Sequence, residues 1–245
     1  MARDDLVFIA VVLDRSGSMS SMRDDAIGGF NSFLAEQQEA PGEALFTLIL
    51  FDHEYITVHD GVPIKDVPPL DRNTFVPRGN TALLDAIGRT VNVMEATIGK
   101  MKEEDRPSRQ IVAILSDGHE NWSQEFKRHD IKKIIEDRSK HGWDFMFLSA
   151  GLDQFADAQA IGVKGAMYAT GPTGPTGMKG VTGAVGARVA SYRAARASGQ
   201  CVAMSLSDYS EQEEKTSGGI SLQNLVDQKA AEASNTSEPE GENEA

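Results

Sequence analysis

The residues with the clearest chemical potential are Asp14, Ser16 and Ser18, which are spaced two apart along the chain. They directly follow the apolar run 6–13, so they lie where a buried strand would leave its sheet. One carboxylate and two hydroxyls are oxygen ligands of the kind that hard divalent cations such as Mg²⁺ prefer. In open α/β sheets, ligands bind in the crevice beyond the carboxyl ends of the strands. The segment therefore predicts a cation site at the end of the first strand.

Two later positions carry the same kind of oxygen ligand and lie in comparable places. Thr81 lies in a polar loop that enters a predicted helix, and Asp117 lies in the Ser116-Asp117-Gly118 segment that directly follows the apolar run 111–115. If the strands are parallel, their carboxyl ends meet at one edge of the sheet, next to Asp14. Neutral hydroxyls leave a bound cation with net positive charge, whereas the two carboxylates retain it, directly or through bound water. Such a site would still attract an acidic ligand.

Other chemistries require residues that this sequence lacks, or they leave some residues unexplained. If the first motif held only turn and capping residues, Thr81 and Asp117 would have no explanation. A hydrolase with Ser16 as nucleophile and His119 as base would need a Gly-x-Ser-x-Gly elbow, which does not surround Ser16. Asp14 lacks the second aspartate of the haloacid dehalogenase-like phosphatases, and no Gly-x-x-x-x-Gly-Lys nucleotide loop occurs. We therefore expect a binding protein and not an enzyme.

Strands and helices must alternate to bring these residues to one edge. Four apolar runs have the length and composition of parallel strands that are buried on both faces, namely residues 6–13, 45–51, 110–115 and 143–149. Apolar side chains recur at helical spacing between them, over residues 22–37, 83–98 and about 123–140. This alternation predicts βαβ crossovers and an α/β sheet that is covered by helices on both faces.

Three segments depart from this alternation. Residues 54–59 alternate polar and apolar side chains and follow the second strand after almost no loop, which predicts an antiparallel edge strand. Residues 62–78 are rich in proline and charge without a clear period, and they predict a surface loop. Residues 156–168 are expected to supply a last short helix and an edge strand.

The three motifs, taken in this order, resemble the von Willebrand factor type A (vWA) domain. The metal-ion-dependent adhesion site of that family reads Asp-x-Ser-x-Ser, then a threonine, then Asp-Gly at a strand end. The match covers about residues 5–170 of this chain. All five positions of the family pattern are matched, by Asp14, Ser16, Ser18, Thr81 and Asp117.

The resemblance implies a doubly wound, Rossmann-like α/β fold with a mostly parallel sheet and one antiparallel edge strand. It implies that the five residues hold Mg²⁺ or Mn²⁺, with an open coordination position that accepts a carboxylate from a partner protein. In the family the threonine, here Thr81, joins or leaves the metal's ligands as affinity changes. Short intracellular members, of the bacterial or phage type, often serve as adaptors for larger machines such as ATPases, and the resemblance suggests that role here.

The C-terminal part begins with six consecutive Gly-X-Y triplets, whose glycines run from Gly171 to Gly186. A collagen-like triple helix that trimerises a structural protein, such as a viral one, is one interpretation. Only two of the triplets contain proline, however, so such a triple helix would be weak. Val181, Val185 and Tyr192 also fit one helical face, which favours a helix or ordered loop docked on the domain.

We therefore predict three parts: a vWA domain over 1–170, a Gly-rich stretch with a docked helix over 171–216, and an acidic, disordered tail over 217–245. The tail lacks the apolar content to fold alone. Residues 205–245 carry ten acidic and two basic side chains, so −8 of the net charge of −13 lies there.

Composition also limits the partners and the location. The chain offers no basic face that would neutralise phosphates, so we expect no nucleic-acid partner. No apolar run approaches the roughly 20 residues of a membrane span, and the start is acidic where a signal peptide would be basic. The single cysteine, Cys201, allows neither an internal disulfide nor a cysteine-based zinc site. We expect a cytoplasmic protein without membrane contact, whose oligomeric state the sequence leaves open.

Overall fold

The computed structural model describes residues 3–149, 158–163, 165–169, 178–200 and 219–221. Its strands are β1 (Arg3–Asp14), β2 (Glu43–Phe51), β3 (Tyr55–Pro63), β4 (Pro107–Ser116), β5 (Trp143–Ser149), β6 (Gly165–Ala169) and β7 (Gly219–Ser221). Its α-helices are α1 (Arg23–Glu39), α2 (Leu83–Gly99), α3 (Arg128–Ser139) and α4 (Met178–Ala197). Short 3-10 helices cover Gly17–Met22, Ile64–Asp66 and Glu103–Asp105, and residues 158–160 are also helical.

The seven strands form one sheet in the spatial order β3-β2-β1-β4-β5-β6-β7. Strand β1 pairs in parallel with β2 and β4, and the parallel ladder continues through β5 to β6. At one edge β3 runs antiparallel to β2, as the alternation in residues 54–59 predicted. At the other edge β7 runs antiparallel to β6, a second such strand that the sequence did not indicate. The predicted fold class, a mostly parallel Rossmann-like α/β sheet, is confirmed.

The strand order reverses beside β1. The chain leaves β1 toward β2 and β3, and then crosses back to β4 on the other side of β1. Open α/β sheets bind ligands at such a switch point, outside the carboxyl ends of the strands. Asp14 ends β1 and Ser116 ends β4, so both residues lie at this point.

Alternate side chains of the strands face opposite helical layers, as a period of two requires. On β1, Val7, Ile9 and Val11 join the core cluster formed with α1 and α4. Phe8 and Val12 join the cluster formed with α2 and α3 on the other face. Helices therefore cover both faces of the central strands, and the buried parts of the parallel strands are mostly apolar for this reason.

Helix α3 begins later than the sequence predicted. The expected start lay near Ser123, whereas α3 covers Arg128–Ser139. The backbone N–H groups just before it donate to the carboxylate of Asp85 on α2, at 3.0, 3.0 and 2.9 Å from Gln124, Glu125 and Phe126. These groups are satisfied by a residue about 40 positions away, so the segment has no need of helical hydrogen bonds.

The prediction of a plain surface loop over residues 62–78 is wrong in one respect. This segment crosses the α1 side of the sheet and adds four side chains to the core there. The four are each at most 5% exposed, and they are Ile64, Val67, Leu70 and Phe75. Their spacing follows neither a helical nor a strand period, so the pattern gave no sign of their burial.

Helix α4 packs against α1 and covers part of the sheet. The two helices approach closely at Gly29, where an added Cβ would lie 3.2 Å from the Cα of Lys179. Residues 178–188 of the Gly-X-Y stretch thus lie in a docked α-helix and do not form a triple helix. Residues 171–177 lie outside the described part of the chain.

Three residues of the predicted C-terminal tail belong to the described part of the chain. Gly219–Ser221, within the predicted tail 217–245, form β7, so these three residues are part of the sheet. The rest of that tail and the predicted boundaries at 170 and 216 lie outside the described residues. Among the helices that are described, none has both the length and the apolar character needed to cross a lipid bilayer.

The carboxylate of Asp144 on β5 destabilises the folded state, because it is mostly buried and poorly compensated. Its side chain is 17% exposed, and its Oδ2 lies 4.0 Å from Nη1 of Arg109. This oxygen accepts no hydrogen bond within the described residues. Burial raises the pKa of Asp144 to about 6, and the Arg109 guanidinium offsets only part of this rise.

Replacing Asp144 by asparagine should therefore stabilise the protein by about 2 kcal/mol at pH 7.5. The pKa of Asp144 in the folded state is higher than its unfolded value of about 3.9. At pH values between the two, the folded state therefore binds more protons than the unfolded state does. Wild-type stability should then fall as the pH rises from roughly 4 to 6, and the Asp144→Asn variant should lack this part of the decline. Urea unfolding at pH 4.5 and 7.5 measures both quantities, and equal stabilities at pH 7.5 would contradict the prediction.

Candidate metal centre

Asp14 is the most deeply buried acid of the candidate site, with no exposed surface. The backbone N–H of Ser16 donates to its Oδ1 at 2.6 Å, and the hydroxyl of Ser116 donates to its Oδ2 at 2.5 Å. Burial raises the pKa of Asp14 to about 6, although these hydrogen bonds lower it. A cation nearby would favour the charged carboxylate and so remove this cost.

The hydroxyls of the first motif connect Asp14 to the second acid. Ser16 Oγ lies 3.0 Å from Ser18 Oγ, and the hydroxyl of Ser18 donates to Asp117 Oδ1 at 2.7 Å. Burial raises the pKa of Asp117, and the hydrogen bond from Ser18 counteracts part of that rise. Ser18 is exposed whereas Ser16 is buried, so the chain of hydroxyls leads from the interior to solvent.

The space beside Gly118 is the centre of this arrangement. A Cβ added to Gly118 would lie 2.8 Å from Oγ1 of Thr81 and 3.4 Å from Oγ of both Ser16 and Ser18. Three hydroxyl oxygens from two loops therefore converge on one point, the position that a side chain of residue 118 would take. Together with the two flanking carboxylates, they form an oxygen-only donor set that suits Mg²⁺ or Mn²⁺.

Thr81 is held in place by the loop that follows β4. Its backbone N–H donates to Oδ1 of Asn121 at 2.9 Å, and its carbonyl accepts the N–H of Asn121 at 3.1 Å. Three residues after Thr81, in the first turn of α2, the N–H of Leu84 donates to Glu120 at 3.0 Å. The loop after β4 thus carries Asp117 and also positions the threonine.

A buried ion-pair cluster under the site was not predicted from the sequence. Asp52, which is fully buried, places its Oδ2 3.0 Å from Nη2 of Arg15 and 3.0 Å from Nε of Arg78. Its carbonyl accepts the N–H of Ala82 at 2.9 Å. Arg15 immediately precedes Ser16, and Ala82 immediately follows Thr81. Asp52 therefore connects the two loops that carry the hydroxyls.

Backbone contacts reinforce this connection. The N–H of Arg78 donates to the carbonyl of Arg15 at 2.7 Å, and the N–H of Gly17 donates to the carbonyl of Gly79 at 3.1 Å. Gly79 has a φ of 68°, and an added Cβ would lie 2.1 Å from Nδ1 of His53. Only glycine fits at position 79, because any side chain would collide with the ring of His53.

The structure brings all five predicted site residues together at the switch point. Ser116, Asn121 and Asp52 support them and were not predicted as site residues, and Gly118 entered only as the glycine of the family's Asp-Gly element. Ser116 had a detectable signal, because it ends a predicted strand as Asp14 does, and the two follow the paired residues Leu115 and Leu13. No cluster of three or more His, Cys, Asp or Glu side chains suited to a metal occurs in the described parts of the chain.

The fold and the site define an α/β protein with a hydroxyl and carboxylate cluster at the switch point of its sheet. Neither a family model nor a curated protein matches the sequence. Solved structures with a similar fold include a von Willebrand factor type A protein from Catenulispora acidiphila, with 12% identity, coverage of 78% of this chain and 42% of that one, and a TM-score of 0.49.

Two further structures are similar to a comparable degree. Manganese-loaded TRAP from Plasmodium vivax has 12% identity, coverage of 68% of this chain and 69% of that one, and a TM-score of 0.47. Proximal thread matrix protein 1 from the mussel byssus has 15% identity, coverage of 60% and 36%, and a TM-score of 0.39. The chain spans less than half the length of the mussel and Catenulispora proteins. These similarities concern the fold.

Proposed function

We propose that this chain is a divalent-cation-dependent protein-binding module of the vWA type, which recognises an acidic side chain of a partner protein. The observation that carries the proposal is the space beside Gly118, on which three hydroxyl oxygens converge between two carboxylates. The match of five residues to the family's adhesion-site pattern supports the same conclusion.

Five residues would hold Mg²⁺ or Mn²⁺ in this proposal, namely Asp14, Ser16, Ser18, Thr81 and Asp117. When bound, the ion would supply a Lewis-acidic position for a carboxylate oxygen. Both oxygens of Asp14 already accept hydrogen bonds, which reduces the negative charge that they offer to a cation. Three of the five ligands are neutral, so an anionic ligand from outside is favoured. The exposure of Ser18 gives a partner access to the site.

We assign this chain a binding role without a catalytic step, as a cytoplasmic adaptor. The support is the chemistry of the residues: hydroxyls engaged with one another and with Asp117 suit coordination better than nucleophilic attack. The single cysteine fits a reducing compartment. A hydrolase would be exposed by screening phosphate and acyl esters with Mg²⁺ or Mn²⁺.

Calorimetry with Mg²⁺ and Mn²⁺ tests the metal site. Asp14→Ala should weaken binding at least 100-fold, because it removes a buried carboxylate and leaves the Ser16 N–H and Ser116 hydroxyl without their acceptor. Asp24→Ala, which removes an exposed carboxylate at the start of α1, should bind as wild type does. Circular dichroism must show that both variants are folded. Equal affinity of wild type and Asp14→Ala would refute the site.

A further inference from the structure

We infer that the outer face of α3 is a docking surface for the acidic C-terminal segment of the same chain. Lys133 and Lys140 define this face, and residues 232–244 form the segment, which we call the glutamate segment. The contact is electrostatic and intramolecular. It involves none of the five predicted metal ligands, so it is independent of the proposed function.

Helix α3, with the residues that flank it, is a basic part of an acidic chain. Residues 127–141 contain six Lys or Arg and three Asp or Glu side chains. The net charge of this segment is therefore +3, and because the whole chain carries −13, the remaining residues carry −16. The expectation that the chain offers no basic face holds for its overall charge but not for this helix.

Some of the charges on α3 are compensated within the described residues. Nζ of Lys132 lies 4.0 Å from Oε1 of Glu136, one turn further along the helix. Arg138 pairs with Asp137 and with Glu95 of α2. None of these pairs involves the two lysines of the outer face, so the uncompensated positive charge includes that of both.

Lys133 and Lys140 lie on the solvent side of α3, and both are exposed. They are two helical turns apart, which separates them by about 10 Å along the axis. At about 100° per residue, both point away from Ile131 and Ile135, the buried side chains of this helix. Neither lysine forms an ion pair with a described carboxylate. The face can therefore accept carboxylates from another segment.

The glutamate segment is complementary to this face in charge. It contains five glutamates and neither lysine nor arginine. Four of the glutamates occupy every second position from Glu238 to Glu244. Alternate side chains of an extended chain lie on one side of it, so these carboxylates can face the two lysines together.

The chain leaves the sheet beside α3. Ser221 at the end of β7 pairs with Met167 of β6, and β7 is antiparallel to β6. Beyond Ser221 the chain therefore continues toward the amino end of β6. The turn just before β6 packs on α3, because a Cβ added to Gly162 would lie 3.3 Å from Cγ of Lys132. The glutamate segment thus follows from a point next to the proposed docking surface.

The length of the intervening chain suits this contact. Ten residues separate Ser221 from Glu232, and a flexible chain of that length spans about 18 Å on average. Helix α3 is itself about 18 Å long. A short tether gives an effective concentration on the order of millimolar. An acidic partner molecule or a nucleic acid lacks this tether and is repelled by the charge of the remaining residues, so the chain's own segment is the favoured occupant.

Rates of lysine acetylation in the full chain test this inference. The wild type is compared with a full-length variant in which all five glutamates of the segment are changed to glutamine. A nearby carboxylate favours the charged ammonium, which does not react, so docking slows acetylation. At about 0.05 M salt, Lys133 and Lys140 should react about 3-fold more slowly in the wild type than in the variant. At about 0.5 M salt the rates should converge, because the contact is screened.

Lys65 is the internal control, because it is also an exposed lysine but follows β3 at the opposite edge of the sheet. Its acetylation rate should be the same in the wild type and in the variant, and mass spectrometry resolves the individual lysines. Equal rates for Lys133 and Lys140 in the two proteins at low salt would overturn the inference. A slowing of Lys65 as large as theirs would also overturn it, since the effect would then reflect net charge alone.

Carbodiimide cross-linking identifies the occupant directly. This reagent joins a carboxylate to an amine that it contacts, so peptides that link the glutamate segment to Lys133 or Lys140 are expected at low salt. A mixture of unlabelled and ¹⁵N-labelled chains separates links within one chain from links between two. Links within single chains support the inference. Links that join labelled to unlabelled chains would make a second copy the occupant and would overturn it, as would the absence of any link to α3.

Discussion

Replacing Gly118 by alanine should reduce the affinity for Mg²⁺ and Mn²⁺ at least 10-fold, which corresponds to about 1.4 kcal/mol. The added Cβ would lie 2.8 Å from Oγ1 of Thr81 and would occupy the space between the three hydroxyls. Thr81 must then turn its hydroxyl away, because its backbone is fixed by Asn121. Gly118 is not among the glycines with positive φ, so alanine is compatible with its backbone. Isothermal titration calorimetry measures the affinity.

The matched control for this variant is Gly183→Ala on α4. An added Cβ at Gly183 would have no atom of the described residues within 4 Å, so metal affinity should equal that of wild type. Thermal unfolding should show both variants folded, with Gly183→Ala slightly stabilised because alanine favours a helix. If Gly118→Ala bound the metals as tightly as Gly183→Ala does, the space beside Gly118 could not be where the ion lies.

The positions of Asp14 and Asp117 at strand ends could be predicted from the sequence. Apolar runs of strand length preceded Asp14 and Asp117, and parallel strands bring their carboxyl ends to one edge. Thr81 had a weaker signal, since its loop follows no strand, and the family pattern supplied it. The structure places its hydroxyl in the same cluster as those of Ser16 and Ser18.

The supports of the site could not be predicted, because they depend on residues far apart in sequence. Asp52 lies 37 positions from Arg15 and 26 from Arg78. The sequence around each arginine does not indicate that it pairs with Asp52. The late start of α3 also depends on a residue far away in sequence. The backbone N–H groups of the three residues 124–126 donate to Asp85 on α2. Periodicity predicts elements and their faces, whereas contacts between loops follow from the packing of the whole sheet.

Asp52→Asn should lower the free energy of unfolding by about 3–5 kcal/mol, a larger effect than that of any surface charge. The carboxylate is fully buried and faces Arg15, whose side chain is only 9% exposed. Removing the negative charge leaves this guanidinium buried with only the carboxylate of Glu54 nearby, at 3.8 Å. Asparagine preserves the shape and still accepts the N–H of Glu54. Urea denaturation at pH 7 measures the change.

Asp24→Asn is the matched control, because Asp24 also pairs with an arginine, Arg72, but both side chains are about two-thirds exposed. Solvent screens that pair, so its loss should not change stability measurably. A second test isolates the buried pair: Arg15→Met combined with Asp52→Asn should be less destabilised than the sum of the single variants, because no unpaired charge remains between them. Additive effects would mean that Asp52 and Arg15 stabilise the protein independently, and that the ion pair between them adds nothing.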